Sequence, residues 1–349
     1  MIPLSKPAQL VIVLACLIVV LAGMKAAAFI IGPLLFSGFL AILFGMLIQR
    51  LEEKEFPRWL ALAVSIAAFL ASIAAIALLL AVYFTRFLLQ LPFYQENLET
   101  RLSLIHETLP AAGIDPAAVP VSELVSLAVS TLGNLIVSIG NSAFVVLIII
   151  ITTIFLMVEI PGLMLKLERS FEDRAGFHED ITRFGSELIR YIVIRMKIDL
   201  FTGAGIFSLL FLLGVDFALL WGFFAFILGF IPYLGFWLAI LPPTLLAWAE
   251  MGWGYAAVVL AGGIIINEIA ESLLFPQLAG QQFRLSPVVV LISVIFWGWI
   301  LGFFGALLAV PLTLALKLML DKWEETRFIG AFLASSPPAD SEAAEPGRR

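Results

Sequence analysis

Two acidic side chains and an amide interrupt a strongly apolar stretch of this chain, in the order Asn267-Glu268-Ile269-Ala270-Glu271. On a helix, residues three and four positions apart share a face, so these three polar side chains are predicted to lie together. At membrane depth the two carboxyl groups cost about 6 kcal/mol on insertion scales. Membrane insertion of the ten Val, Leu, Ile and Phe residues of segment 255–275 is favourable by about 5 kcal/mol. The segment therefore needs neighbouring helices, and its polar face is a candidate functional site.

The chemistry expected of this face is reversible binding of an ion. Loss of water disfavours the charged form of a carboxyl group, and a nearby like charge adds to the effect. We therefore predict that Glu268 or Glu271 binds a proton or a sodium ion. Asn267 would offer its amide to a ligand or a neighbouring carbonyl, and Arg284 would neutralise one carboxylate. Two other roles stay open for the acids: hydrogen bonding between helices, and a position near the interface, where charge is cheap.

Composition places the chain among polytopic, all-α membrane proteins. Its residues are 62% hydrophobic and 13% charged, and the mean hydropathy is +1.08. The net charge of −6 implies no nucleic-acid partner. A single cysteine, Cys16, and two histidines in polar stretches argue against a disulfide framework and a metal site. No phosphate-binding loop or hydrolase motif occurs, so we expect neither a cofactor nor an enzymatic activity.

The distribution of cations predicts which side of the membrane each segment occupies. Segment 85–141 holds only Arg86 and Arg101, whereas segment 159–198 holds seven lysines and arginines. The positive-inside rule places 159–198 and both termini in the cytoplasm and 85–141 outside. Lys197 and Asp199 are interpreted as interfacial anchors. Asp216 and Glu250 are predicted to mark outward turns.

The predicted organisation has six segments. They are N-terminal transmembrane spans at 1–84, an extracytoplasmic helical segment at 85–141, a span at 142–158, cytoplasmic amphipathic helices at 159–197, a transport core at 198–320, and a cytoplasmic tail at 321–349 that is disordered from about 335. The outward segment has leucines at helical spacing. It would form either a small helical cap or an oligomer-forming stalk.

Two later segments resemble each other. Each has a Trp-Gly pair, a glycine-broken centre and a proline-containing exit that leads to Thr-Leu and a nearby alanine. The apolar halves beside each break are short for a full crossing. We therefore predict two inverted, re-entrant helical hairpins, which is an arrangement typical of a transporter's central site. An ordinary ten-span arrangement stays open. The predicted breaks are Gly229, Pro232 and Gly235 in the first hairpin, and Gly302, Gly305 and Pro311 in the second.

Four motifs, in this order along the chain, resemble the autoinducer-2 exporter family of bacterial membrane proteins. They are Ile231-Pro232-Tyr233-Leu234-Gly235 followed by Pro242, Glu271-Ser272-Leu273-Leu274-Phe275-Pro276, Leu285-Ser286-Pro287, and Gly305-Ala306-Leu307-Leu308-Ala309-Val310-Pro311. The resemblance covers nearly the whole chain in layout and is sharpest from about 198 to 320. The chain has Glu271-Ser272 where we expect an amide-rich version in many relatives, which puts its coupling chemistry in question.

The resemblance implies a secondary transporter of the bacterial inner membrane. Members of the family are linked to export of a small furanone-derived signal or to sodium/proton antiport, so we expect export of a small polar molecule with a proton or sodium gradient, or antiport. We also expect a homo-oligomer in the lipid bilayer. A scaffold that recruits an envelope partner through 85–141 is the alternative from another class.

Overall fold

The computed structural model describes residues 6–108, 143–170, 175–279 and 286–321, together with positions 326, 330 and 333. Every regular element within these ranges is helical, which confirms the all-α prediction. Seven helical stretches of this described part are long and apolar enough to cross a membrane. The helices are α1 (Lys6–Ala26), α2 (Ala28–Glu52), α3 (Arg58–Thr108), α4 (Ala143–Ser170), α5 (Ala175–Leu213), α6 (Ala218–Gly229), α7 (Leu234–Met251), α8 (Trp253–Glu268), a π-helical turn (Ile269–Leu274), α9 (Phe275–Ala279), α10 (Pro287–Leu307) and α11 (Ala309–Asp321).

Helices α2, α3 and α4 pack through small residues. Ala41, Ala61 and Ser65 are almost fully buried. The Ser37 hydroxyl donates to the Pro33 carbonyl at 2.8 Å, which satisfies the hydroxyl inside its own helix. Small side chains allow helix backbones to approach closely in a membrane, where packing rather than hydrophobic exclusion holds helices together. These three helices form the framework on which the later hairpins lie.

Helices α6 and α7 form a tight hairpin, which we call hairpin 1. Its turn contains Tyr233, which has a positive φ of 64°, a strained conformation for a residue with a side chain. A Cβ atom on Gly235 would overlap the Leu228 carbonyl, so the two arms approach backbone to backbone. Phe230 at the turn packs edge-on against Phe39 of α2, with ring centroids 5.7 Å apart. The predicted break in this region is therefore a real reversal of the chain.

The second predicted break is also a reversal, and it lies inside α10. Gly302 has φ 65° and ψ −145°, a combination that a residue without a side chain adopts readily. A Cβ atom on Gly305 would overlap the carbonyl of Trp297, which a straight helix would hold far away. The Trp297 indole donates to the Thr313 hydroxyl at 3.0 Å and joins the two arms. We call residues 287–321 hairpin 2. The depth of both hairpins in a bilayer stays a prediction.

The far end of α3 is fastened to the base of hairpin 1. Tyr94 is 1% exposed, and its hydroxyl donates to Asp216 Oδ2 at 2.8 Å. Asp216 lies in the turn between α5 and α6, and Glu250 lies in the last turn of α7. Burial, with further contributions from Asp216 and Glu250, raises the pKa of Tyr94 far above its ordinary value. The phenol therefore keeps its proton and acts as a donor at physiological pH.

Replacing Tyr94 with phenylalanine is expected to weaken this connection. The change leaves Asp216 without its donor and should lower the free energy of unfolding by about 1–2 kcal/mol, as is typical for a lost hydrogen bond to a charged group. Chemical unfolding of the detergent-solubilised protein would measure it. Tyr83→Phe, in the same helix, is the matched control and should change little. Equal effects of the two substitutions would show that the Tyr94 hydroxyl contributes nothing specific.

One predicted boundary falls inside a helix, and two predicted segments extend beyond the described residues. The periodic segment that was predicted to lie outside is helical as far as Thr108. Residues 109–142 lie outside the described residues, as does the predicted disordered tail. Helix α5 runs without a break through position 198, where the predicted cytoplasmic helices and transport core were to meet. One continuous helix therefore connects the two predicted segments.

Candidate functional site

A buried ion pair on α5 is the centre of the site. Arg195 and Asp199 are four residues apart and therefore share a helix face. The Arg195 Nε atom lies 2.9 Å from Asp199 Oδ2, and the two residues are only 6% and 1% exposed. Charged groups this deeply buried require close partners, because an unpaired charge in a low-dielectric interior is strongly disfavoured.

Glu271 completes the cluster from a different part of the chain. The Arg195 Nη1 atom donates to Glu271 Oε1 at 2.7 Å, and the Glu271 side chain keeps 37% of its surface exposed. Glu271 lies in the π-helical turn after α8. Pro276, just beyond that turn, supplies a physical reason for it, because proline lacks the N–H group of a regular helix and its ring crowds the carbonyl four residues earlier. Turns of this kind are frequent at functional sites.

The third contact of Arg195 is with the tip of hairpin 1. The Arg195 Nη2 atom donates to the carbonyl of Gly229, the last residue of α6. Carbonyl groups at a helix C-terminus carry partial negative charge and attract cations. Gly229 also makes room for Asp199, since a Cβ atom at position 229 would lie 2.7 Å from Asp199 Cγ. One guanidinium group thus connects α5, hairpin 1 and the π-helical turn.

The charges of the cluster do not cancel. One guanidinium faces two carboxylates, so the cluster carries one excess negative charge when both acids are ionised. Of the two acids, Asp199 is enclosed and Glu271 is open on one side. Glu271 is therefore the acid of the cluster that a solvent ion can reach. Within the described ranges, no group of three or more histidine, cysteine or acidic residues is placed to hold a metal ion.

The polar tract found in the sequence is split by the structure. Glu271 faces the buried cluster, Asn267 is half-buried, and Glu268 is exposed and accepts a hydrogen bond from Ser272 at 2.8 Å. Among the described residues, the guanidinium that reaches Glu271 belongs to Arg195. Arg284 lies outside the described residues. Asn267, Glu268 and Glu271 therefore lie in different environments.

The predicted breaks are distributed between the two hairpins. Gly229 contacts the ion cluster, and Pro232 and Gly235 form the turn of hairpin 1. Gly302, Gly305 and the buried Pro311 belong to hairpin 2. There the Thr313 hydroxyl donates to Ser293 at 2.8 Å. Hairpin 2 therefore contains a network of uncharged hydroxyl groups. The tip of hairpin 1, in contrast, contacts the charged side chain of Arg195.

Sequence reasoning missed Arg195 and Asp199. Arg195 was counted among cytoplasmic cations, and the interpretation of Asp199 as an interfacial anchor is wrong, because its carboxylate is buried and ion-paired. Lys197 is exposed, as an anchor would be. A usable signal was present: an arginine and an aspartate four residues apart directly precede a long run without charge, 200–215. That spacing favours an ion pair within the membrane-facing helix.

Comparison with known proteins gives one consistent result. Residues 14–325 match the family described as AI-2E family transporter. The chain is 30% identical over 328 residues to "AI-2 transport protein TqsA" of Escherichia coli K12, which covers 93% of this chain and 95% of that protein. It is 30% identical over 333 residues to a Haemophilus influenzae protein named "Putative transport protein", with 90% of this chain and 92% of that protein covered. The E. coli K12 "Putative transport protein YhhT" is 28% identical over 327 residues, which cover 92% and 91% of the two chains.

Proposed function

The chain belongs to the AI-2E family of transporters, and from this membership we propose that it is a secondary-active transporter. It exports a small polar metabolite or signalling molecule across the bacterial inner membrane, and a proton or sodium gradient drives the export. The observation that carries the proposal is the cluster of Arg195, Asp199 and Glu271, in which one guanidinium faces two carboxyl groups.

Glu271 is the residue at which the coupling ion binds. A net charge in a poorly solvated site is unfavourable, so the cluster gains stability when a proton or a sodium ion neutralises one carboxylate. Asp199 is enclosed, whereas Glu271 is partly exposed and can exchange ions with water. Glu268 is not part of the proposed site, because its side chain is exposed and accepts a hydrogen bond from Ser272.

Arg195 connects ion binding to movement of hairpin 1. With Glu271 ionised, the guanidinium holds the π-helical turn and the Gly229 carbonyl together. Neutralising Glu271 weakens the first of these bonds and leaves the second, so the hairpin and the turn can separate. An ion shifts a conformational equilibrium only if it binds the two states with different affinities. Here the affinities differ because Arg195 is bonded to Glu271 in one state and not in the other.

The hairpin turns provide the surface for the transported molecule. Backbone groups freed by the breaks around Pro232, Gly235 and Gly302 can bind a polar substrate, because broken helices at membrane depth are tolerated where they line a cavity. The two hairpins are re-entrant from opposite sides, and both termini are cytoplasmic. Sodium/proton antiport would use the same carboxylate without a metabolite.

The test is flux through purified protein in proteoliposomes with an internal pH indicator. Sodium and proton gradients are varied independently, with and without a panel of small polar metabolites. Glu271→Gln should reduce ion-coupled flux at least about tenfold, because the neutral amide cannot exchange an ion. The matched change, Glu268→Gln, should retain flux within about twofold. Normal flux in Glu271→Gln would remove this carboxylate from the mechanism, and no flux under any gradient in the unmodified protein would favour the scaffold instead.

A further inference from the structure

The tip of hairpin 1 is a strained turn centred on Tyr233. The Leu234 N–H group donates to the carbonyl of Pro232 at 2.7 Å, and this bond closes a turn of only three residues. Tyr233 has φ 64° and ψ −44°, which is close to the geometry of the γ-turn with positive φ, a rare and strained conformation. Glycine adopts a positive φ without a steric penalty, whereas a residue with a side chain does not.

Burial does not explain why a tyrosine occupies this turn. Its side chain is 53% exposed, and the hydrophobic contribution of a side chain to stability grows with the apolar surface that it removes from water. Residues held in strained backbone conformations are concentrated at binding sites and switch regions, where the surrounding structure keeps them in place. The side chain of Tyr233 is therefore a candidate for a role other than packing.

The same turn lies beside the ion cluster. The guanidinium of Arg195 donates with one nitrogen to Glu271 and with another to the carbonyl of Gly229, four residues before Tyr233. The Tyr233 phenol lies within electrostatic reach of the Glu271 carboxylate. The Glu271 side chain keeps 37% of its surface exposed, so both the phenol and the carboxylate that it neighbours are accessible at the hairpin tip.

We propose that Tyr233 is the gating residue of the ion site, whose ring covers part of the open side of Glu271 and controls when an ion reaches the carboxylate. The ring moves with hairpin 1, because its turn lies just beyond the Gly229 carbonyl that Arg195 holds. Ions exchange with Glu271 only when the hairpin has moved the ring aside. Without the ring they would exchange in every position of the hairpin, and a gradient would dissipate without driving transport. The inference rests on the proposed transport function of Glu271.

Proton leak into proteoliposomes with an internal pH indicator tests the role of the ring. A pH gradient is imposed without a sodium gradient or a metabolite. Tyr233→Gly should dissipate the gradient at least about fivefold faster than the unmodified protein, and adding Glu271→Gln should abolish this increase. Tyr233→Phe keeps the ring and should stay within about twofold of the unmodified protein. The unfolding midpoint of Tyr233→Gly in denaturant should not fall, because glycine accepts the positive φ of the turn.

Three results would overturn the proposal. They are a Tyr233→Gly variant as tight as the unmodified protein, a leak that persists after Glu271→Gln, and a lower unfolding midpoint of Tyr233→Gly, which would mean that the phenol serves packing. Absence of coupled flux in the unmodified protein would instead remove the proposed function. The leak of Tyr233→Gly and its dependence on Glu271 would still be measurable in that case, so the two failures are distinguishable.

Thiol labelling locates the side chain without any measurement of flux. In a Cys16→Ala background, Tyr233→Cys carries the only cysteine of the chain. A water-soluble maleimide should label it at least about tenfold faster than Leu78→Cys, because a thiol reacts as the thiolate, which forms in water and not in lipid. Leu78 is an exposed position within the candidate span Arg58–Phe87. Equal labelling of the two variants would place residue 233 against lipid and would overturn the proposal.

Discussion

Replacing Arg195 with methionine is expected to be the most damaging single change in this protein. Methionine fills much of the same volume but removes the only cation of the cluster, so Asp199 is left buried and unpaired. Breaking a buried ion pair in this way costs about 3–5 kcal/mol. The variant should also lose ion-coupled flux, because hairpin 1 and the π-helical turn no longer share a donor.

The control for this change is Arg190→Met, which removes an exposed arginine five residues earlier in the same helix. Unfolding in denaturant should show a loss for Arg195→Met and almost none for Arg190→Met. Adding Asp199→Asn and Glu271→Gln to Arg195→Met should recover part of the stability, since removing a whole buried ion cluster is much cheaper than removing one partner. An Arg195→Met variant as stable as Arg190→Met would contradict the structural role of the cluster.

The hairpins could be predicted from the sequence because their signals are local. Gly302 and Gly305 mark a backbone reversal that needs no distant partner to be recognised. The same holds for Pro232 and Gly235, where a positive φ and a close backbone approach both occur within a few residues. Such positions are governed by steric effects between residues close in sequence, so the glycines and prolines that mark them can be identified from the sequence alone.

The ion cluster could be predicted only in part. Glu271 could be identified from the sequence because an acidic residue stands out within an apolar segment. Its partner could not be chosen, because Arg195 lies 76 positions away, and only the packing of α5 against the π-helical turn brings the two together. Arg284, the nearest cation along the chain, was the predicted partner, and it lies outside the described residues.

The separation of Glu268 from Glu271 also required the structure. Both acids lie in the same tract, and a helical pattern alone puts them on neighbouring faces. The structure assigns them to different environments, one in the cluster and one on the exterior. Which side of a helix is covered depends on the neighbouring helices, and that information is not local.

Replacing Gly229 with alanine is expected to have the second-largest effect. The new methyl group would overlap Asp199 Oδ1 and lie 2.7 Å from its Cγ atom, so either Asp199 or the tip of hairpin 1 must move. Overpacking of a tight interior costs about 1–3 kcal/mol, and the displaced carboxylate would weaken its bond to Arg195. Ion-coupled flux should fall as well, because the same movement shifts the carbonyl that Arg195 contacts. Gly45→Ala, at a helical position with open space around it, is the matched control and should be neutral or stabilising by up to about 1 kcal/mol.

A double-mutant cycle identifies the cause of the Gly229→Ala defect. In an Asp199→Ala background the carboxylate that the methyl group would strike is absent, so adding Gly229→Ala should cost far less than it does alone. The two changes should therefore be coupled by about 1–3 kcal/mol, as residues in direct contact are. If the two changes in unfolding free energy were strictly additive, Gly229→Ala would destabilise the hairpin turn itself. The contact between Asp199 and the hairpin tip would then not contribute to the defect. Coupling in stability together with coupling in flux would instead link the packing of this one glycine to the movement that carries transport.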